Sequence, residues 1–255
     1  MGFSLLAAGL AACCGLYGQA ASFEVASIKP SAPDVAGLFV QPQPGGGLRV
    51  TGATLKHLIA IAYEVREFQI LSAPAWAGTE RFDIDARAPR SPASVDAAGD
   101  PRRAGIEMHE RLRSLLAERF QLSVHREEQE QSVYALVVAK NGPRFSEATP
   151  DSGNLIRGGR GLITGRGTTM QMLALNLANQ LGRQVLEKTG LRGKYDFKLE
   201  WTPDAGAVEA AAEPERRGPS LFTALQEQLG LRLETQKGPV PVLVIDEAAK
   251  VPTPN

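Results

Sequence analysis

The chain has 255 residues, 43% of them hydrophobic and 22% charged, which suits a globular protein with a sizeable core and excludes the disordered and collagen-like classes. Lys and Arg together number 28, and so do Asp and Glu, so no overall positive field draws the protein to nucleic acid or anionic lipid.

Residues 1–20 carry no charge and hold an apolar run, Leu5 to Leu16, too short to cross a bilayer as a helix. Small residues at Gly18 and Ala20 fit signal-peptide cleavage after Ala20, although a basic n-region is missing. Leu10-Ala11-Ala12-Cys13 also fits a lipoprotein cleavage box in which Cys13 is lipidated, and an uncleaved anchor is the remaining alternative. The segment predicts export to the periplasm or the cell exterior. Both cysteines, Cys13 and Cys14, lie in it, so cleavage after Ala20 leaves a protein without thiols.

Phe23 to Ile28 reads as a strand, and Pro33, Pro42, Pro44 and Gly45-Gly46-Gly47 read as a loop before the strand Leu48 to Thr51. Thr54 caps a helix whose Leu55, Leu58, Ile59 and Ala62 recur at the spacing of one buried face. Strands at Phe68 to Leu71 and Arg81 to Arg87 follow, the second with Phe82 and Ile84 on one side and Asp83 and Asp85 on the other. After a Pro/Ala/Ser-rich loop comes a helix with the stripe Leu112, Leu115, Leu116 and Phe120. Leu122 to His125 and Val133 to Ala139 read as a hairpin around polar Arg126 to Gln131.

A second half repeats this order. Leu162-Ile163-Thr164 precedes a helix with a capping-box pattern at Thr168 and Gln171, a stripe of Met170, Leu173, Ala174, Leu177 and Leu181, and a stop at Gly182. Gln184 to Leu186 matches Gln69 to Leu71, and the alternating stretch Tyr195 to Trp201 matches Phe82 to Ala88. Ser220 caps a helix bearing Leu221, Leu225 and Leu229, and Leu231 to Glu234 with Pro241 to Ile245 read as a closing hairpin. The offset drifts from 115 (Leu55 to Met170) to 109 (Phe120 to Leu229), as loop-length changes produce. The expectation is an α+β fold of two similar subdomains, 23–145 and 155–255, each a mainly antiparallel sheet covered by two helices and each reading β-α-β-β-α-β-β.

Several stretches together resemble a known family: Phe23 to Ser31, Pro74-Ala75-Trp76, Leu112 to Phe120, Tyr134 to Lys140 with Gly142-Pro143, Gly190 to Trp201, and Leu221 to Leu231. As a set they are similar to the soil-associated protein family of unknown function abundant in acidobacterial genomes, over the chain from Phe23 to its end. The resemblance implies an exported protein and no established activity. Related domains are attached to membrane metallopeptidases of the antibiotic-sensor type, but this chain has no His-Glu-x-x-His. The element order also looks like the short N-terminal domains of secretins and TonB-dependent transporters, which bind envelope proteins or peptides.

Chemistry-bearing residues are few. His57, His109 and His125 have no carboxylate or second histidine at metal-ligand spacing, so surface or structural roles are expected, with no metal or cofactor. Asp83, Asp85, Asp196 and Glu200, with Asp83 and Asp196 at matching places in the two halves, form a carboxylate site if the fold brings them together across strands; otherwise they lie on the solvent face of amphipathic strands. Arg157, Arg160 and Arg166 concentrate positive charge in a glycine-rich stretch, Gly158 to Gly167, that loosely resembles a phosphate cradle while lacking its Lys-Ser/Thr ending. These features favour a binding or interaction module of the bacterial envelope, with a protein or peptide partner and no nucleic acid. A carboxylate-dependent hydrolase and a sensor of a small anionic ligand are the alternatives.

Overall fold

Two runs of sequence fold into the same series of elements. In the first, β1 (Val25–Pro30), β2 (Phe39–Gln43) and β3 (Gly47–Thr54) lead into α1 (Leu55–Tyr63), followed by β4 (Ile70–Leu71), β5 (Arg81–Arg87), α2 (Pro101–Phe120) and the long strand β6 (Ser123–Val138). In the second, β7 (Ser146–Glu147), β8 (Leu155–Gly159) and β9 (Leu162–Thr168) lead into α3 (Met170–Leu181), then β10 (Val185–Glu187) and β11 (Tyr195–Glu200). Helix α4 (Leu221–Ala224, continued by a π-helical turn, Leu225–Leu229) and β12 (Leu231–Glu247) complete it. This computed structural model describes residues 21–35, 37–89, 100–149, 151, 153–203 and 218–253. The segment 1–20 and most of both expected loops lie outside them.

The duplication extends to strand order. One antiparallel sheet runs β1-β5-β3-β2 and another β7-β11-β9-β8. The third, β10-β6-β12-β4, is built from both repeats: the long strands pair antiparallel along their lengths, β4 runs parallel to β12, and β10 runs parallel to β6. Each short strand thus pairs with the long strand of the other repeat. The α+β class is as expected, with mostly antiparallel sheets.

The chain forms two compact units, and both are discontinuous in sequence. The first comprises the described residues up to Tyr63, Ala75–Leu122 and those from Ala248 onward; the second comprises Glu64–Pro74 and Ser123–Glu247. The expected partition into 23–145 and 155–255 differs from this because β6 and β12 are not hairpins closing their own halves. Each is one continuous strand, and their register pairs Val138 with Leu231 at one end and Val124 with Ile245 near the other. The polar run Arg126 to Gln131 is mostly exposed along this pairing, where polarity does not require a turn.

In the first unit, Leu48, Val50, Phe82 and Ile84 from the sheet are buried with Leu55, Leu58 and Ile59 of α1 and Leu112, Leu116 and Phe120 of α2. Phe82 meets Phe120 edge to face at 5.1 Å. Arg113 Nε donates to Ala62 O at 2.6 Å, satisfying a carbonyl that the end of α1 leaves without a helical partner. The C-terminal segment ties to α2 through Ala249 N–H to Phe120 O and Thr253 N–H to Arg119 O.

In the second unit, Ile163, Phe197 and Leu199 pack with Leu173 and Leu177 of α3, Leu221, Leu225 and Leu229 of α4, and Leu136 and Leu231 of the long strands. Phe145 lies edge to face with Tyr195 at 5.0 Å. Thr169, not Thr168, caps α3, accepting from Met172 N–H, and Gly182 ends the helix in the left-handed region. Ser220 caps α4 as expected.

The sequence reading omitted β2 and β8. Pro42 and Pro44 read as loop residues, yet Pro42 sits on an edge strand, where a missing N–H leaves no ladder bond unmade. The glycine-rich stretch is a β-hairpin: Gly158 and Gly159 lie in β8, and Arg160-Gly161 is a two-residue turn with Gly161 at φ +84°.

Candidate functional site

The two aspartates occupy one position of the repeat and do one local task. Between Val50 and Ala53 the pairing of β3 with β5 shifts register, and Gly52 takes φ +72° in that bulge. Asp83 Oδ1 accepts the Gly52 N–H at 3.0 Å and the Ser31 hydroxyl at 2.6 Å. In the second repeat the shift falls between Tyr195 and Phe197, Gly167 has φ +56°, and Asp196 Oδ1 accepts its N–H at 2.7 Å. A bulge turns one N–H out of the ladder, and a carboxylate on the adjacent strand satisfies it.

Asp83 is held below the usual carboxylate range, first by the Ser31 hydroxyl bond, with help from the Gly52 N–H and the charge of Lys29 and against the effect of burial. Each aspartate is engaged inside its own unit, Asp83 in the first and Asp196 in the second.

The arginines are partly gathered. On β8 and β9 the residues facing away from α3 are Leu155 and Arg157, with Leu162, Thr164 and Arg166 as cross-strand neighbours. They line a shallow concavity of about 520 Å³. Arg157 and Arg166 are exposed, and no ion pair engages either among the described residues. Leu155 and Leu162 are 46% and 39% exposed. Arg160 sits in the hairpin turn and does not line the concavity. The glycines have packing reasons: a Cβ on Gly165 would lie 2.6 Å from the Phe197 ring, and one on Gly158 2.7 Å from Asn176 Oδ1 of α3.

The equivalent face of the first repeat is charge-balanced. Arg49 pairs with Asp85 at 2.7 Å across β3 and β5, beside a concavity of about 820 Å³ that Glu24 and Arg87 also line. Its edge strand β2 instead begins with exposed apolar Phe39 and Val40, preceded by exposed Leu38, and Phe39 is 57% exposed. Sequence reasoning missed both edges. The signal was the period-two order of Leu155 and Arg157, and of Leu162, Thr164 and Arg166, hidden by intervening glycines.

The histidines are dispersed. His57 Nδ1 accepts the Thr54 N–H at 3.1 Å while Thr54 Oγ1 accepts the His57 N–H at 3.2 Å, a reciprocal cap at the start of α1. His109 lies on α2. His125 Nδ1 lies 2.8 Å from Asp246 Oδ1, with Glu127 3.7 Å from its other nitrogen, a pairing across 121 positions that sequence spacing does not reveal. Among the described residues, no group of three His, Cys, Asp or Glu side chains could hold a metal ion, and no helix is long and apolar enough to cross a membrane.

None of the curated proteins and none of the solved structures compared with the chain matches it. One family model does, over residues 56–248, from the first turn of α1 to just past the end of β12. The chain thus belongs to the family described as "Protein of unknown function (DUF3738)".

Proposed function

We propose that the protein is an exported binding or interaction module of the bacterial cell envelope, docking a protein or peptide partner along its open sheet edges. The observation that carries this reading is that two sheets of identical strand order each end, among the described residues, on an edge strand with exposed apolar side chains: Phe39 and Val40 at β2, and Leu155 at β8. Open edges template added strands, and exposed apolar side chains mark contact surfaces. Export is supported by the uncharged apolar segment at residues 1–20 with its small-residue cleavage pattern. The motif set from Phe23 to Ser31 through Leu221 to Leu231 is what supports a soil-associated, acidobacterial setting.

Photo-crosslinking side chains placed at Phe39 and Leu155 of the full chain, expressed in a Gram-negative host, test the reading. Expected are envelope-fraction adducts at one or both of these positions and none at a control on Glu110 of α2. An absence of adducts, together with substrate turnover that disappears in Asp83→Asn or Asp196→Asn, would overturn it in favour of a hydrolase.

A further inference from the structure

The two edges are not equivalent, and the difference selects both a site and a ligand chemistry. The two-residue turn Arg160-Gly161 makes Gly159 and Leu162 the first hydrogen-bonded pair of the hairpin, so the N–H and C=O groups of Ile156 and Gly158 point to the open side of β8. In the first repeat, matching Thr51 to Arg166 places Phe39 against Leu155 and Pro42 against Gly158. Proline blunts the β2 edge by removing a donor where β8 keeps one.

Charge separates the edges further. Arg49 is neutralised by Asp85 on the first sheet, and Lys198 by Glu200 at 2.9 Å on the second, whereas no carboxylate pairs with Arg157 or Arg166 among the described residues. The exposed leucines Leu155 and Leu162 flank these arginines on the same face.

We infer that β8 is the docking edge, and that it takes an extended peptide in which an acidic side chain faces Arg157 and Arg166 and an apolar side chain two residues away covers Leu155. This rests on the binding-module reading and names the edge and the partner's chemistry. Strand addition aligns alternate peptide residues on one face, which is why the acidic and apolar positions are separated by two. The opposite side of β8 packs on α3, where Asn176 and Gln180 approach Gly158 and Gly159, so the added strand's other face meets polar amides.

The test pans a randomised linear peptide library against the full-length protein and synthesises the winners. Enrichment of an acidic residue two positions from an apolar one is expected, with binding weakened by added salt. Reversal of both exposed arginines, Arg157→Glu with Arg166→Glu, should weaken such a peptide about tenfold and shift a second panning toward basic residues. N-methylation of alternate peptide residues should abolish binding in one phase and spare it in the other, the signature of a strand bonded along one edge.

Winners without acidic preference, or insensitive to the reversal, overturn the choice of β8 while leaving the module reading intact, and so do winners that protect the amides of residues 39–43 from exchange instead. An arginine-dependent rise in melting temperature with inorganic phosphate, without peptide binding, overturns it in favour of a small-anion sensor. Self-association lost on the same arginine reversal would show that a second copy occupies the edge. If the library yields no binder and the crosslinkers at Phe39 and Leu155 capture nothing, both readings fall.

Discussion

Asp83 and Asp196 show how a residue pattern that suggests chemistry is used for architecture. Replacing either by Ala strands a bulge N–H, at a cost of about 1–3 kcal/mol in urea unfolding. Asp83 adds a pH signature. Its carboxyl is held below the ordinary range in the native protein, by the Ser31 hydroxyl first, so its contribution is present above the unfolded-state value of about 3.9 and is lost as pH falls through the native one. Stability measured from pH 6 down to pH 2 should therefore fall less steeply below about pH 4 in Asp83→Asn than in the parent. The bulge glycines are equally constrained, because a Cβ on Gly52 collides with Gly37 O and one on Gly167 with Gly153 O. Thr168 is the opposite case: it is fully buried with no partner for its hydroxyl among the described residues, and the equivalent residue of the first repeat is Ala53. Thr168→Val keeps the shape and removes the orphaned hydroxyl, so thermal unfolding should show no loss and a gain of up to about 1 kcal/mol.

At the level of elements, the two repeats solve one edge problem differently. In the first, β1 pairs along β5 as far as Arg87, whereas in the second β7 has two residues and covers only Tyr195 and Asp196 of β11. Gln228, on the π-helical turn of α4, substitutes for the missing strand: its Oε1 accepts the Glu200 N–H at 2.9 Å and its Nε2 donates to Glu200 O at 2.7 Å. A π turn is the kind of local irregularity that re-aims side chains. Gln228→Ala should cost about 1 kcal/mol and accelerate hydrogen exchange at the Glu200 amide, with α3 amides unaffected. The helices α1, α3 and α4 were legible because apolar spacing and caps at Thr54, Gly182 and Ser220 act within a few residues. Strands β2 and β8 were not, because proline and glycine, read as breakers, are tolerated at an edge.

For the whole molecule, the order of elements recurs along the chain, while the compact units differ from the expected division into 23–145 and 155–255. Since β6 pairs with β12 over nearly its whole length, a fragment ending at residue 145 keeps the first repeat but leaves β6 without its main partner. Such a fragment should lack the full chain's cooperative melt by circular dichroism, and adding a second fragment from residue 146 onward should restore it. Local signals in the chain were sufficient for the recurring element order, the α+β class, the helix faces, the caps at Thr54, Gly182 and Ser220, and the pairing of Asp83 with Asp196 as equivalents, because each rests on spacing over a few residues or on comparison of two stretches. Three things needed the fold: that the equivalent aspartates each bind a bulge glycine in a separate unit, that the long strands pair with each other and not with themselves, and that Arg157 and Arg166 share an exposed face with two leucines. All three depend on which strands become neighbours and in what register, a choice made by the burial of distant apolar faces against one another.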